Sequence, residues 1–461
     1  MGEDAKRLID ILQHENVFLT GGAGVGKSYT TREVIAFYEK LGKNVAVLAS
    51  TGIAAVHIGG QTLHSFMKYG IAKILPELVE MKLYPHQRKA LKAMIANLDL
   101  LVIDEISMVS AGVMEMIHYR LEQFGFHGRI LVVGDFLQLP PVRKADEEKR
   151  LMFQFGIEEH ERDAYFGYAF ESTHWDAFGF EMVELDEVKR TSDEAFIRYL
   201  HHVRGGVCDC GVKEFIRSHV TGRLTKELAF KSTILYATNR KVKAFNESRL
   251  TADLEPIHDI EAKVSIQSSA EGVEKRVEQY LENLPIERTL RIKVGAPVLF
   301  TTNTEQFRNG QRGLVTSIVN GEEGYTITVA IDGGGEVSVE RSDYELTHYD
   351  YEQDKEGGVE VKPSVIAKIT QFPIRLAWSL TIHKSQGMSI DNIAVSIDEI
   401  FEKSQFYVAI SRATSPEGLT LLSRKSEAAL ETWIDRMIMV DEKVLSFYQN
   451  YTKPQKQLAL F

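Results

Sequence analysis

Val17-Phe18-Leu19-Thr20-Gly21-Gly22-Ala23-Gly24-Val25-Gly26-Lys27-Ser28 is the stretch on which the reading of this chain turns. An apolar run of strand type meets a turn of the form G-x-x-x-x-G-K-[ST], and a helix is predicted beyond it. Glycines at these spacings let backbone N–H groups close around phosphate oxygens, and the following helix offers its N-terminal dipole. Lys27 is expected to reach the β- and γ-phosphates of ATP, and the Ser28 hydroxyl to ligate Mg²⁺. Gly21, Gly22, Ala23, Gly24, Val25, Gly26, Lys27, Ser28 and Tyr29 are therefore the candidate nucleotide-binding residues. A chance glycine-rich turn is the alternative, and the strand before it and helix after it weigh against that.

Outward from this turn, Val45-Ala46-Val47-Leu48, Leu100-Leu101-Val102-Ile103 and Ile130-Leu131-Val132-Val133 also read as buried parallel strands. The segments between them are long enough for crossover helices, which predicts a doubly wound α/β domain over residues 1–190. A helical insertion is expected at about 67–98. Thr233 to Ala237, Val298-Leu299-Phe300 and Ile393 to Ser396 look like strands of a second α/β unit, assigned to 191–302 and 371–450. Residues 303–370 change to short alternating runs: Leu314 to Ile318, Tyr325 to Ile331 and Glu336 to Val339. Glycine-rich turns separate them, which predicts a small antiparallel barrel inserted in the second unit. Residues 451–461 are left as a tail.

Asp104-Glu105 ends the strand beginning at Leu100. In P-loop proteins such an aspartate joins Ser28 in holding Mg²⁺, and an adjacent glutamate polarises the attacking water. An acidic pair capping the next helix is the other reading, since carboxylates also suit helix N-termini. Gln138, in Gly134-Asp135-Phe136-Leu137-Gln138-Leu139-Pro140-Pro141, is placed to sense the γ-phosphate, and the two prolines fix a rigid turn. Arg240 in Ala237-Thr238-Asn239-Arg240 and Arg412 in Ala409-Ile410-Ser411-Arg412-Ala413 each lie just beyond a structured element. A lone arginine there is an ordinary surface residue. Two of them in the half without a P-loop favour guanidinium groups that stabilise transition-state charge. Lys27, Asp104, Glu105, Gln138, Arg240 and Arg412 are the catalytic candidates.

A P-loop and an acidic pair also describe kinases, transporters and chaperones. The remaining segments are more specific. Thr51-Gly52-Ile53-Ala54-Ala55 resembles motif Ia of the superfamily 1 helicases, on the 5′-to-3′ branch with RecD-like, Dda-like and Pif-type enzymes. Gln61-Thr62-Leu63-His64-Ser65-Phe66 resembles the DNA-contacting segment that follows it. Leu376 through Gly387, with Thr381-Ile382-His383-Lys384 at its centre, resembles motif V, and Phe406 to Ala413 resembles motif VI. Leu185-Asp186-Glu187-Val188-Lys189-Arg190, with Phe196, Leu200 and Val203-Arg204-Gly205, is similar to the Pif signature. The matches follow the family's order from residue 17 to 413. Two departures stand out: Asp4 and Ala5 occupy the region where relatives carry an adenine-reading glutamine, and Thr191 replaces a glutamine of the signature.

The resemblance implies two RecA-like P-loop domains in tandem, with a helical insertion in the first and an SH3-like β-barrel in the second. It implies an ATP-dependent DNA helicase travelling 5′ to 3′ on single-stranded DNA and opening forked or tailed duplexes in replication, repair or recombination. Thr51, Thr62, His64, Ser65, Phe66, Thr381, His383 and Lys384 become DNA-binding candidates, and Gly387 joins the nucleotide set. Phe66 or His64 would stack on a base. The alternatives are Phe66 as core and His64 as a satisfied loop histidine. By analogy the helical insertion is the wedge that parts the duplex.

Composition sets the frame without naming the chemistry. The net charge of −11 and pI near 5.8 argue against a wholly basic coat for duplex DNA, yet allow the local positive groove of a single-strand binder. No apolar run of membrane-spanning length and no secretion signal after Met1-Gly2-Glu3-Asp4 is visible, so a cytoplasmic, nucleoid-associated monomer is expected. Cys208 and Cys210 alone cannot complete a zinc site and read as reduced thiols. At the other end, Gln457-Leu458-Ala459-Leu460-Phe461 resembles the Q-L-x-L-F peptide that binds the bacterial sliding clamp. Gln457, Leu458, Leu460 and Phe461 are then the clamp-binding candidates, with a tail packed on the body as the alternative.

Overall fold

The computed structural model describes residues 1–268, 272–322, 324–353 and 359–457. The chain divides into two compact units: Met1–Glu187 with Thr347–Ile366 and Glu442–Phe461, and Val188–Leu346 with Ala367–Asp441.

The first unit is built on six strands: β1 (Asn16–Gly21), β2 (Val45–Ala49), β3 (Gln61–Thr62), β4 (Leu100–Asp104), β5 (Arg129–Val133) and β6 (Phe180–Leu185). They form one sheet in the order β3-β2-β4-β5-β1-β6, and every pair is parallel. β2 and β4 are buried along their whole length, as expected of strands covered on both faces by crossover helices. Those helices announce themselves by spacing. In Glu3–Leu12 the buried residues are Ala5, Leu8, Ile9 and Leu12, one apolar stripe at helical period. The helix Ala111–Phe124 begins where the Ser110 hydroxyl accepts the Val113 N–H and ends at Gly125, in the left-handed region. The expected helical insertion contains Leu75–Glu80 and Pro85–Ala96.

Two later stretches complete this unit. One is the far part of the long strands Ser342–Gln353 and Val359–Gln371, which lie side by side in a sheet. There the Tyr349 hydroxyl accepts the Val47 N–H at 2.8 Å, and the Tyr349 N–H donates to Gln61 Oε1 at 3.3 Å. Asn44 bonds the backbone at both Val359 and Val361. The other is the C-terminal helix Glu442–Gln457. Its Lys443 reaches Asp163 and Glu171, and Phe447 stacks on Phe170 with ring centroids 4.3 Å apart. The strand and helix pattern of the sequence assigns residues up to 450 to the second domain. Residues 442–450 instead complete the first unit, because this helix carries aromatic residues that pack against the first unit's own aromatic cluster.

The second unit has a five-stranded parallel sheet in the order Ser379–Thr381, Thr233–Tyr236, Ile393–Ser396, Leu419–Leu422, Val220–Thr221. Beside it, a five-stranded sheet runs Glu336–Val339, Gly324–Ile331, Arg312–Gly321, Pro297–Phe300, Ile374–Leu376, with each pair antiparallel. Val298-Leu299-Phe300 therefore belongs to the antiparallel sheet and not, as its apolar run suggested, to the parallel one. A short continuous apolar run marks burial without marking strand direction. These strands enclose a core that includes Phe300, Phe307, Val315, Ile327, Val329 and Phe372.

Candidate functional site

Because all strands of the first sheet run the same way, the loops after β1, β4 and β5 leave from one edge, and β5 lies between the other two. Ligands of open α/β sheets bind at this carboxyl edge. The backbone is shaped for it. Gly21, Gly24 and Gly26 have φ of 136°, 81° and 95°. A Cβ at Gly21 would lie 2.2 Å from the Leu185 carbonyl oxygen, so only glycine lets β1 turn there against β6. The helix Lys27–Lys40 starts immediately after Gly26. Lys27 Nζ donates to the carbonyls of Gly21 and Gly22, at 2.7 and 2.9 Å, which holds the ammonium over the loop. Ser28 and the Tyr29 ring are both exposed.

Asp104 is buried at the end of β4, and its Oδ1 accepts the Glu105 N–H at 2.9 Å. Burial pushes its carboxyl above the ordinary range, against the pull of the Glu105 amide, Lys27 and Arg32. Glu105 sits at φ 53°, a left-handed conformation that costs a non-glycine residue about 1–2 kcal/mol. Ser50 Oγ donates to its carbonyl at 3.2 Å. After β5, Gly134 N–H donates to the Leu19 carbonyl at 3.0 Å, tying this loop to β1. Gln138 is buried, and its Nε2 donates to Asp135 Oδ2 at 3.3 Å. The fold thus gathers Gly21–Ser28, Asp104, Glu105 and Gln138 at one sheet edge.

Mg²⁺ prefers a few protein oxygens completed by phosphate and water. The Ser28 hydroxyl and Asp104 carboxylate fit that donor set, and among the described residues no group of three or more His, Cys, Asp or Glu could hold a metal by itself. Bound there, the ion would neutralise charge developing on the phosphates.

In the second unit, Arg240 is exposed in the first turn of Asn239–Leu250. Arg412 is 2 % exposed, with Nε donating to the Val408 carbonyl and Nη2 to Ser411 Oγ, both at 2.9 Å. Gly387 is exposed at φ 78°.

The DNA candidates fall into two groups. Thr51, Thr62 and Thr381 share one arrangement, each hydroxyl accepting a backbone N–H three residues on, from Ala54, Ser65 and Lys384. Ser65 Oγ accepts from Gln61 Nε2. Burial lowers the pKa of His383 and of Lys384, the latter with help from Arg375. The stacking candidates fare differently. Phe66 is 1 % exposed and meets Tyr349 edge-on at 5.4 Å, which makes it core and removes it as a base-stacking residue. His64, half-buried in the short helix Leu63–Phe66, packs edge-on against Tyr69 and bonds the Ala72 backbone, and burial lowers its pKa. The clamp-binding residues Leu458, Leu460 and Phe461, with the side chain of Gln457, lie outside the described residues.

Two functional neighbours escaped the sequence reading. Tyr349 packs against the segment from Gln61 to Phe66. Tyr448 touches Thr20 and the Asp135–Phe136 loop. Nothing local marks either tyrosine, since each partner is hundreds of positions away in sequence.

A phosphate cradle, a buried acidic strand end and a strand-exit glutamine on one parallel sheet, with a second parallel sheet in the same chain, make this a P-loop ATPase of tandem α/β build. Comparison with known proteins carries the assignment further. A model of the PIF1-like helicase family matches residues 9–212, and one described as a helicase matches residues 359–427. The chain is 35 % identical over 451 residues to the ATP-dependent DNA helicase Pif1 of Campylobacter jejuni, spanning 96 % of this chain and 97 % of that protein. The crystal structure of Bacteroides sp. Pif1 in complex with ADP-AlF4 superposes with a TM-score of 0.80 at 26 % identity, covering 98 % of this chain and 96 % of the other. Bacteroides Pif1 bound to single-stranded DNA matches with a TM-score of 0.60 at 27 % identity, over 97 % and 96 % of the two chains. The chain belongs to the PIF1-like helicase family and has that family's two RecA-like domains.

Proposed function

We propose that this protein is an ATP-dependent DNA helicase that moves 5′ to 3′ on single-stranded DNA and opens duplexes carrying a 5′ tail, at the nucleoid. The observation that carries the reading is the convergence of Gly21–Ser28, Asp104, Glu105 and Gln138 in a chain similar over nearly its whole length to such helicases. Lys27 binds the β- and γ-phosphates, Ser28 and Asp104 hold Mg²⁺, and Glu105 polarises the attacking water. Gln138 senses the γ-phosphate, and Arg240 and Arg412 are the proposed sources of positive charge in the transition state.

Thr51, Thr62, Ser65 and Thr381 are the proposed phosphate contacts on DNA. In each the described bond uses the hydroxyl oxygen as acceptor, which leaves the O–H available to donate to a phosphate oxygen. Such contacts ignore base identity, as a translocating motor requires. Lys384 adds charge. The wedge reading of the helical insertion is supported by its exposed apolar residues: Ile71, Val79, Met81 and Tyr84. The C-terminal peptide is proposed to bind a bacterial sliding clamp on sequence resemblance alone. Anisotropy with the labelled heptapeptide tests it, and no binding at tens of micromolar removes it.

The decisive experiment is ATP hydrolysis with and without a single-stranded oligonucleotide, then strand separation on duplexes with a 5′ or a 3′ tail. DNA-stimulated turnover and opening of the 5′-tailed duplex alone are expected. Turnover indifferent to DNA would leave a P-loop ATPase of another kind.

A further inference from the structure

We infer that Tyr448, on the C-terminal helix, is a positioning residue for ATP hydrolysis, holding the Gln138 loop in register with the phosphate cradle. Its hydroxyl lies 2.8 Å from Thr20 Oγ1, one residue before the glycine-rich turn. It accepts the Phe136 N–H at 3.1 Å and lies 3.5 Å from Asp135 Oδ1, the longest of the three. A phenol has one proton to donate and two lone pairs. The three partners match that inventory when Thr20 and the Phe136 amide donate to it and it donates to the carboxylate.

Asp135 is the hub of the loop that follows β5. Its Oδ1 also accepts the Leu137 N–H at 3.1 Å, and its Oδ2 accepts from Gln138 Nε2. One phenol therefore spans the exits of the strands β1 and β5, and its second link ends on the carboxylate that orients Gln138. The ring is fixed independently of the hydroxyl: it stacks on Phe18 at 6.4 Å, and Phe447 beside it joins the cluster of Phe136, Phe170 and Trp175. Tyr448→Phe accordingly removes the bridge while keeping the packing.

The inference rests on the reading of Gln138 as the γ-phosphate sensor, and the test separates the two. Turnover of ATP with saturating single-stranded DNA, and binding of a fluorescent ADP, are measured for Tyr448→Phe, Gln138→Ala and the double variant. Tyr451→Phe is the control, because it deletes the bond from Trp175 Nε1 to the same helix at 3.0 Å without touching Thr20 or Asp135. Tyr448→Phe is expected to lower kcat by about 3- to 10-fold, the scale of one hydrogen-bonding hydroxyl, with ADP affinity unchanged. The double variant should be no slower than Gln138→Ala, and Tyr451→Phe should keep wild-type kcat. Equal losses in Tyr448→Phe and Tyr451→Phe would reduce the effect to helix docking and overturn the inference. So would wild-type kcat in Tyr448→Phe, or losses that multiply in the double variant. Wild-type kcat in Gln138→Ala would instead remove the reading underneath it.

Discussion

Two strand-to-helix turns, one in each unit, start from the same grammar and end in different chemistry. In the first unit β1 stops at Gly21, and five residues intervene before the helix Lys27–Lys40. Gly21 at the strand's end and Gly24 and Gly26 in the turn take φ of 136°, 81° and 95°. In the second unit the strand Thr233–Tyr236 is followed by only Ala237 and Thr238 before the helix Asn239–Leu250. That shorter turn carries no glycine and no cradle of backbone N–H groups. A parallel sheet and a helix dipole are present in both, so they do not by themselves make a nucleotide site. The left-handed glycines do, because they let consecutive amides face inward.

The comparison breaks most directly at Lys27. Lys27→Ala should reduce DNA-stimulated ATP hydrolysis by about 10³-fold, the scale of losing a charge-stabilising group in a closed phosphate site. Colorimetric phosphate release checks it, and substantial residual turnover would mean that a second site hydrolyses ATP. Glu105→Gln comes next. Removal of a positioned base should lower kcat by about 10²-fold while fluorescent ATP still binds. Loss of binding in that variant would assign Glu105 to the fold of the loop and not to the water.

The glycines sharpen the comparison from the side of stability. At Gly134, φ is 156° and a Cβ would sit 2.9 Å from the backbone nitrogen of Ile106. At Gly387 of the second unit φ is 78°, with nothing within 4 Å of the added carbon. Gly134→Ala should cost about 2–3 kcal/mol, strain plus clash, and Gly387→Ala about 1 kcal/mol, strain alone. Urea unfolding followed by circular dichroism compares them. Equal losses would show that the close packing of the β5 exit against Ile106 gives way at no cost.

The first unit's sheet was legible because its strands are continuous apolar runs, each followed by a turn or polar residue that marks where the strand stops. Val17–Thr20, Leu100–Ile103 and Ile130–Val133 lie where the sequence placed them, and so do the turn, Asp104-Glu105 and Gln138 at their ends. Strand direction was not legible. Val298-Leu299-Phe300 is as apolar as the others and pairs antiparallel. Long-range docking was not legible either. Phe66 reads as a stacking candidate in sequence but packs against Tyr349, and nothing in the helix from Glu442 signals that its tyrosine meets Thr20. Periodicity shows that a face is buried and leaves open which distant element buries it.

Ion pairs carry the contrast between the units to its smallest effect. Glu148 of the first unit is 5 % exposed and takes Arg143 on both oxygens, at 3.0 and 3.1 Å, and Arg162 at 2.7 Å. Burial pushes its pKa up, but Arg143 and Arg162 more than offset this, so it ends below the ordinary value of 4.5. A carboxyl lowered on folding stabilises the protein above its unfolded pKa, and that contribution fades as pH falls through the folded one. Glu227 of the second unit pairs with Lys231 at 2.7 Å on an open helix face, where solvent screens the interaction. Glu148→Gln should cost about 1–2 kcal/mol at pH 7, held down because both arginines keep other acidic neighbours, and should flatten the loss of stability below pH 4.5. Glu227→Gln should leave that acid limb as it is in the wild type. Urea midpoints at pH 7 and in the acid range decide it. If both variants kept the wild-type acid limb, the buried charge network around Glu148 would add no more to acid-range stability than the exposed pair of Glu227 and Lys231.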